Sequence, residues 1–237
     1  MVGTMDEKIL VLHPENLSLP PQSILQIKDI TDQNQKASIH EIIFSQDEKY
    51  FAATDTIGRI GLFTNENPYN TGNSDKKEWT LVARHHFKGG IIKSFCFSEK
   101  GNKLYCVCKD KHLYEFDLLA NSEYDNYLLV VNRSLKVENE CDMTSVIWYP
   151  VSSGNDRNIV IANEDYKMRT VMVSSSNKSS EDNKMVIKQT CLGPAYGGPI
   201  QKLKVVPGYD KDKRLLAFST SEKVIKLKFL FILIFFN

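Results

Sequence analysis

The feature that most constrains this chain is a repeated unit. An apolar run ending in an aromatic residue meets a polar turn. A second run of small and apolar residues leads to an acidic residue, and two or three positions later a third apolar run begins. Such internal repeats decide a fold before any local pattern does. One unit comprises Ile39–Phe44, a turn from Ser45, Tyr50–Thr54, Asp55 and Arg59–Phe63. The next comprises Ile92–Phe97, a turn from Ser98, Lys103–Val107, Asp110 and His112–Asp117. Then come Thr144–Tyr149, Pro150, Asn158–Ala162, Asp165 and Lys167–Val171. The last comprises Ile200–Val206, Pro207, Arg214–Phe218, Glu222 and Val224–Leu227, and the opening is half a unit: Met1–Thr4, Asp6 and Lys8–Leu12. A fourth run closes each unit: Ile24–Ile30, Trp79–His86, Tyr127–Lys136 and Val186–Cys191. These runs are short, mostly alternating, and rich in β-branched and aromatic residues, which predicts strands. No long segment of helical period competes with them.

The acidic positions Asp6, Asp55, Asp110, Asp165 and Glu222 recur at about 49 to 57 residues. An Asp accepts backbone N–H bonds and tolerates a tight turn, so each is expected to be a structural blade turn. Four antiparallel strands per repeat at this period describe a propeller blade. The expected fold class is therefore all-β: a WD40-like β-propeller of about four and a half blades. Its units lie approximately at 1–36 (partial), 37–90, 91–143, 144–199 and 200–237 (partial). The likeness to WD repeats is degenerate: Phe116-Asp117 approximates their closing Trp-Asp, and His85-His86 stands nearest to their Gly-His. WD repeats bond a His to the turn Asp inside a blade, which here would pair His86 with Asp110. An open ring leaves sheet edges uncovered, so the count predicts a piece of a larger propeller.

Composition excludes some function classes. Lys plus Arg number 30 and Asp plus Glu 29, for a formal charge of +1, so no basic excess supports a nucleic-acid partner. With 42% apolar and 25% charged residues the chain can bury a core. Five cysteines, an odd number at low density, argue against a disulfide framework and for a reducing compartment. Met1 to Asp6 shows no basic segment followed by an apolar one, which predicts no signal peptide. The three N-x-S sequons, at Asn16, Asn132 and Asn177, are then without consequence. The apolar run Phe229–Phe236 is far short of the roughly 20 residues of a membrane-spanning helix, so no membrane is expected. An exposed Phe/Ile run is an aggregation hazard, which predicts an artificial or truncated end.

The stretches Thr64–Lys77, Leu118–Asn126 and Ser174–Lys184 lie between third and fourth strands and are rich in Asn, Ser, Asp, Glu and Lys. They are expected to be mobile loops on one side of the propeller, either drifting neutrally or forming a rim that orders against a partner.

No enzyme or cofactor site emerges. Leu192–Pro199 is Gly-rich, but no Lys-Ser/Thr follows it, and its prolines remove donors a phosphate cradle needs. Cys96, Cys106, Cys108, His85, His86 and His112 fall in one unit without a zinc knuckle, so metal is not expected. Neither a nucleophile elbow nor His-Glu-x-x-His occurs. The acidic clusters lack the order of an EF-hand loop. Catalytic residues, cofactors, metals and small-molecule substrates are accordingly all expected to be none.

Three stretches carry a family resemblance: Thr144-Ser-Val-Ile-Trp-Tyr-Pro150, Ile161-Ala-Asn-Glu-Asp-Tyr-Lys-Met168 and Cys191-Leu-Gly-Pro-Ala-Tyr-Gly-Gly-Pro-Ile200. Together they resemble the WD-repeat cilia- and flagella-associated proteins of the calmodulin- and spoke-associated complex. The last stretch is the most specific, and Val2–His13 resembles a blade of the same family more weakly. The resemblance implies a non-enzymatic scaffold at the base of radial spoke three, tied to dynein regulation and motility. It implies partners among radial spoke and axonemal proteins, calmodulin included. Some members carry an EF-hand-like segment that this sequence lacks, so calcium sensing is not carried over.

Two rivals stand beside that reading. One is a cytosolic WD-repeat adaptor of ubiquitin ligases or trafficking coats. The other is a propeller hydrolase, which needs convergent polar groups on inner strands; His40 and Glu41 are the only such pair there.

Overall fold

Alternation decides which residues go where. In the computed structural model, Phe51 and Ala53 face one core while Tyr50 and Ala52 face another. On the next strand Ile60 and Leu62 join the second core, and Phe63 the first. A strand sends successive side chains to opposite faces, so a strand between two neighbours feeds two cores and reads as continuously apolar. The structure describes residues 1–27, 36–66, 78–88, 90–118, 128–137, 140–149, 157–173, 185–192, 198–206, 215–220 and 225–229. Among these there are strands and turns and no α-helix.

The chain divides into two compact units, residues 1–110 with 114–133, and 111–113 with 134–237. In the first, β1 (Val2–Gly3), β2 (Lys8–Val11) and β3 (Ser23–Gln26) form a three-stranded sheet. The strands β4 (Ile39–Phe44), β5 (Tyr50–Asp55), β6 (Arg59–Thr64) and β7 (Thr80–His86) form a four-stranded one. A third sheet comprises β8 (Ile92–Phe97), β9 (Lys103–Cys108), β10 (His112–Asp117) and β11 (Val131–Lys136) in that order. The first strands of successive sheets adjoin, β1 with β4 and β4 with β8. Ile9 of β2 and Ile27, the residue after β3, pack on Phe51, Ala53 and Phe63 of the second sheet. Ile60, Leu62 and Ala83 of the second pack with Phe95, Leu104 and Phe116 of the third. Phe51 and Phe63 stack with centroids 4.5 Å apart and planes 5° from parallel. Each such ring contributes about 1.5–3 kcal/mol by leaving water.

The second unit holds β12 (Met143–Tyr149), β13 (Arg157–Asn163), β14 (Lys167–Val173) and β15 (Met185–Leu192) in one sheet. A second sheet contains β16 (Ile200–Val206), β17 (Leu215–Thr220) and β18 (Ile225–Phe229). Again the first strands adjoin, β12 with β16, over a core of Tyr149, Val160, Ala162, Met168, Ile200 and Leu203. Sequential antiparallel sheets stacked by their faces, first strand beside first strand, make this an all-β fold of partial β-propeller type.

Two irregularities repeat with the blade. The first strand of each of four sheets carries a β-bulge at its second position, between Ile39 and Glu41, Ile92 and Ser94, Met143 and Ser145, and Ile200 and Lys202. A bulge bends a strand and increases its twist, which suits strands crowded side by side. The other is a three-residue hairpin loop whose last residue is left-handed, found between the second and third strands of the four-stranded sheets and between β1 and β2, where the Thr4 N–H donates to the Lys8 carbonyl. That residue is Glu7 (φ 68°), Gly58 (φ 89°), Lys111 (φ 70°) and Tyr166 (φ 65°) in turn. This geometry closes a three-residue hairpin, at a cost of roughly 1–2 kcal/mol wherever the residue is not glycine.

The observed strands follow the expected runs; among the fourth strands, the expected Trp79–His86 begins at Thr80 and the expected Val186–Cys191 extends to Met185–Leu192. The expected Tyr127–Lys136 run starts as a strand only at Val131, and Leu128 makes an isolated parallel bridge to Arg84. The loop interiors expected at 67–77, 119–126 and 174–184 lie outside the described residues, as do Glu222 and the run beyond Phe229.

Candidate functional site

The acidic turn residues do not share one position. In the three-residue loops, Asp6, Asp110 and Asp165 each stand immediately before the left-handed residue, but Asp55 stands three before it, as the last residue of β5. The residue matching Asp6, Asp110 and Asp165 in that loop is Ile57. Asp55 instead matches Asn163, the end of β13, so the acids stand at two positions of the hairpin.

Both placements serve the turn. Asp55 is buried, and its Oδ1 accepts the backbone N–H groups of Ile57 (3.1 Å) and Arg59 (2.9 Å). Its Oδ2 takes the Arg59 Nε–H. Asp165 accepts the Lys167 N–H at 3.2 Å and pairs with the Lys167 ammonium at 2.9 Å. Burial pushes the Asp165 carboxyl up, but Lys167 and Arg169 hold it below its ordinary value. Asp6 is exposed; the Lys8 ammonium at 2.6 Å and the Thr4 hydroxyl hold its carboxyl low. Asp110 accepts the Tyr114 hydroxyl, and burial together with that carboxylate pushes the Tyr114 phenol up. His86 is exposed on β7, and its neighbour His85 is the ring that turns inward. The His85 Nδ1–H donates to the Leu129 carbonyl at 2.9 Å, between Phe87 and Phe116. Burial lowers the His85 pKa.

Sequence reasoning missed two buried charge clusters. Arg59 is shared by Asp55 and Glu7, whose Oε1 lies 3.5 Å from Arg59 Nη2 and also accepts the Ala37 N–H at 2.7 Å. Glu115 on β10, fully buried, takes Lys103 Nζ at 3.0 Å, Asn132 Nδ2 at 2.7 Å and Arg133 Nε at 2.9 Å. Burial would raise the Glu115 carboxyl, yet Arg133 and Lys103 bring it below its ordinary value. These clusters tie neighbouring strands together with charges that are largely taken out of water. Cys106 and Cys108 lie in the core, where burial pushes both thiols up, away from the thiolate that metal binding needs. Among the described residues no His, Cys, Asp and Glu cluster could hold a metal ion.

An open recess lies at the β4–β5 turn. It has about 580 Å³ and is lined by Phe44, Asp47, Glu48, Lys49, Asn65, Glu66 and Trp79. Its floor is aromatic: Trp79 lies 5.8 Å from Phe44 at 78° and 4.9 Å from Phe51 at 66°. Its rim is the β4–β5 turn, held by Ser45, whose hydroxyl donates to Asp47 Oδ1 at 2.6 Å and accepts the Tyr50 N–H at 3.0 Å. Ser98 closes the β8–β9 turn in the same way, accepting the Lys103 N–H at 3.1 Å. Aromatics from two strands and acids from a turn converge only through the fold, so no linear motif announces this recess.

No family model matches the chain. It is similar to Cilia- and flagella-associated protein 251 of Tetrahymena thermophila, with 28% identity over 224 residues, covering 86% of this chain and 22% of that protein. The proteins of the same name from Mus musculus and Pongo abelii are each 26% identical over 196 residues, 80% of this chain. Those matches cover 14% and 15% of the mouse and orangutan proteins, so the chain spans about a fifth or less of the length of these curated relatives.

Proposed function

We propose that the chain is a non-enzymatic scaffold of the cilium or flagellum, part of the axoneme. It binds protein partners at the radial spoke base and so contributes to dynein regulation and motility. The observation that supports this most is the likeness to cilia- and flagella-associated proteins over 86% of the chain. The resemblance of residues 144–200 to spoke-associated WD-repeat proteins narrows it to spoke and axonemal partners, with calmodulin among them. Physically, rigid stacked sheets present fixed turns to a partner, and their buried charges are spent on strand-to-strand bonds rather than on chemistry. Nucleic acid, membrane and small-molecule substrate have no part in this reading.

The test is placement. A tagged chain expressed in a ciliated cell is expected along the axoneme at spoke bases and to remain there after the membrane is stripped. A signal confined to the cell body would defeat it.

A further inference from the structure

Phe44 is out of place for a core residue. It closes the first strand of its blade, as Phe97 and Tyr149 close theirs, yet it is 42% exposed where each of those is 7%. The β-strand ladder does not require this: Phe44 pairs in register with Phe51 just as Phe97 pairs with Leu104. What differs is its surroundings. Phe44 and Trp79 form two walls of the recess at nearly a right angle, and three carboxylates, Asp47, Glu48 and Glu66, share it with one ammonium, Lys49. Lys49 is already held by Glu66 at 3.0 Å, and the bond raises the Lys49 pKa. The recess therefore carries a formal charge of −2, with Glu48 free of any ion pair among the described residues.

We propose that this recess receives a lysine or arginine side chain from a basic segment of a protein partner. A cation over an aromatic face gains from the ring quadrupole, and nearby carboxylates add Coulomb attraction that no neutral or anionic guest would find. The recess, of about 580 Å³, has room for such a side chain. Phosphate-bearing partners, nucleic acid or lipid, are repelled by the same three carboxylates. The proposal deepens the scaffold reading by giving the chemistry of the segment bound, and rests on that reading only for the partner being a protein.

The experiment uses the full chain and a fluorescent Gly-Arg-Gly-Arg-Gly peptide, followed by anisotropy, with the Gln-for-Arg peptide as its counterpart. Saturable binding is expected for the arginine peptide and at least tenfold weaker binding for the glutamine one. Phe44→Ala is expected to weaken the arginine peptide about fivefold or more, and Glu48→Lys about tenfold. Glu48 is exposed on the turn, so Glu48→Lys decides the matter even if Phe44→Ala fails to fold. Equal binding of both peptides, or unchanged affinity in Glu48→Lys, overturns the proposal. Sedimentation with stripped axonemes separates the two readings. Axoneme binding without peptide binding removes the recess and spares the scaffold; peptide binding by a chain absent from axonemes does the reverse.

Discussion

Glu7 and Arg59 meet at 3.5 Å across the junction of the first two sheets, with their side chains 10% and 5% exposed. Glu7 is the left-handed residue of one hairpin, and Arg59 is the first residue after the left-handed glycine of the next. One hairpin's turn thus supplies the counter-charge for its neighbour's. Removing one partner of a buried pair strands the others, at about 3–5 kcal/mol. Arg59→Met is therefore expected to lower the stability of the chain by about that amount in urea unfolding. Adding Glu7→Gln and Asp55→Asn to it should recover part of the loss. A fall below 1 kcal/mol for the single variant would mean that the pair is not desolvated in solution.

Glu115 carries a pH dependence whose sign follows from its folded-state pKa. Arg133 and Lys103 hold that pKa below the ordinary 4.5, so the unfolded chain binds the proton more readily. The stabilisation is complete above about pH 4.5 and disappears as pH falls through the depressed folded value. Glu115→Gln should cost about 3 kcal/mol at pH 7 and flatten the acid limb of a stability–pH curve. An acid limb as steep as that of the unaltered chain would contradict the assignment.

His85 acts in a higher window. Burial lowers its folded pKa beneath the ordinary 6.5, so the folded state favours the neutral ring that donates from Nδ1. Stability from this residue is whole above about pH 6.5 and declines below it, as the unfolded chain takes up the proton first. Thermal unfolding between pH 7.5 and pH 5 should show that decline, and His85→Phe should lessen it.

Left-handed turn residues are not interchangeable between blades. At Gly58 an added Cβ would lie 2.1 Å from the Gly90 carbonyl oxygen. Gly58→Ala should thus cost at least about 2 kcal/mol, from strain and from that clash. Tyr166 adopts a similar φ of 65° while 45% exposed. Tyr166→Gly should raise stability, by up to about 1 kcal/mol, because the residue no longer opposes its own backbone. Melting temperatures of the two variants should move in opposite directions.

The strands were legible because alternation, small and apolar runs and β-branching mark them, as in Tyr50–Thr54; that this strand is covered on both faces emerges only from its neighbours. The turn acids were legible only as composition. Asp55 and Asp165 look alike in a string of letters, but one ends a strand and the other precedes a left-handed residue, and an offset of two positions leaves no mark on hydrophobic pattern. Glu115 and its cations were hidden for a different reason. A lone Glu between Tyr114 and Phe116 reads as the solvent side of an alternating strand, and only Arg133 and Lys103, arriving from the two flanking strands, make its burial tolerable. The recess at Phe44 was hidden because Trp79, the residue before β7, reaches it from far along the chain.

The serine latches at Ser45 and Ser98 have an evolutionary corollary. Each hydroxyl closes its hairpin from within, so an exposed tip side chain such as Glu48 takes no part in the ladder beneath. One tip displays Asp47 and Glu48, the other Glu99 and Lys100. The charge of a blade's crest is thereby open to change at such a side chain, one hairpin at a time, over the same woven frame.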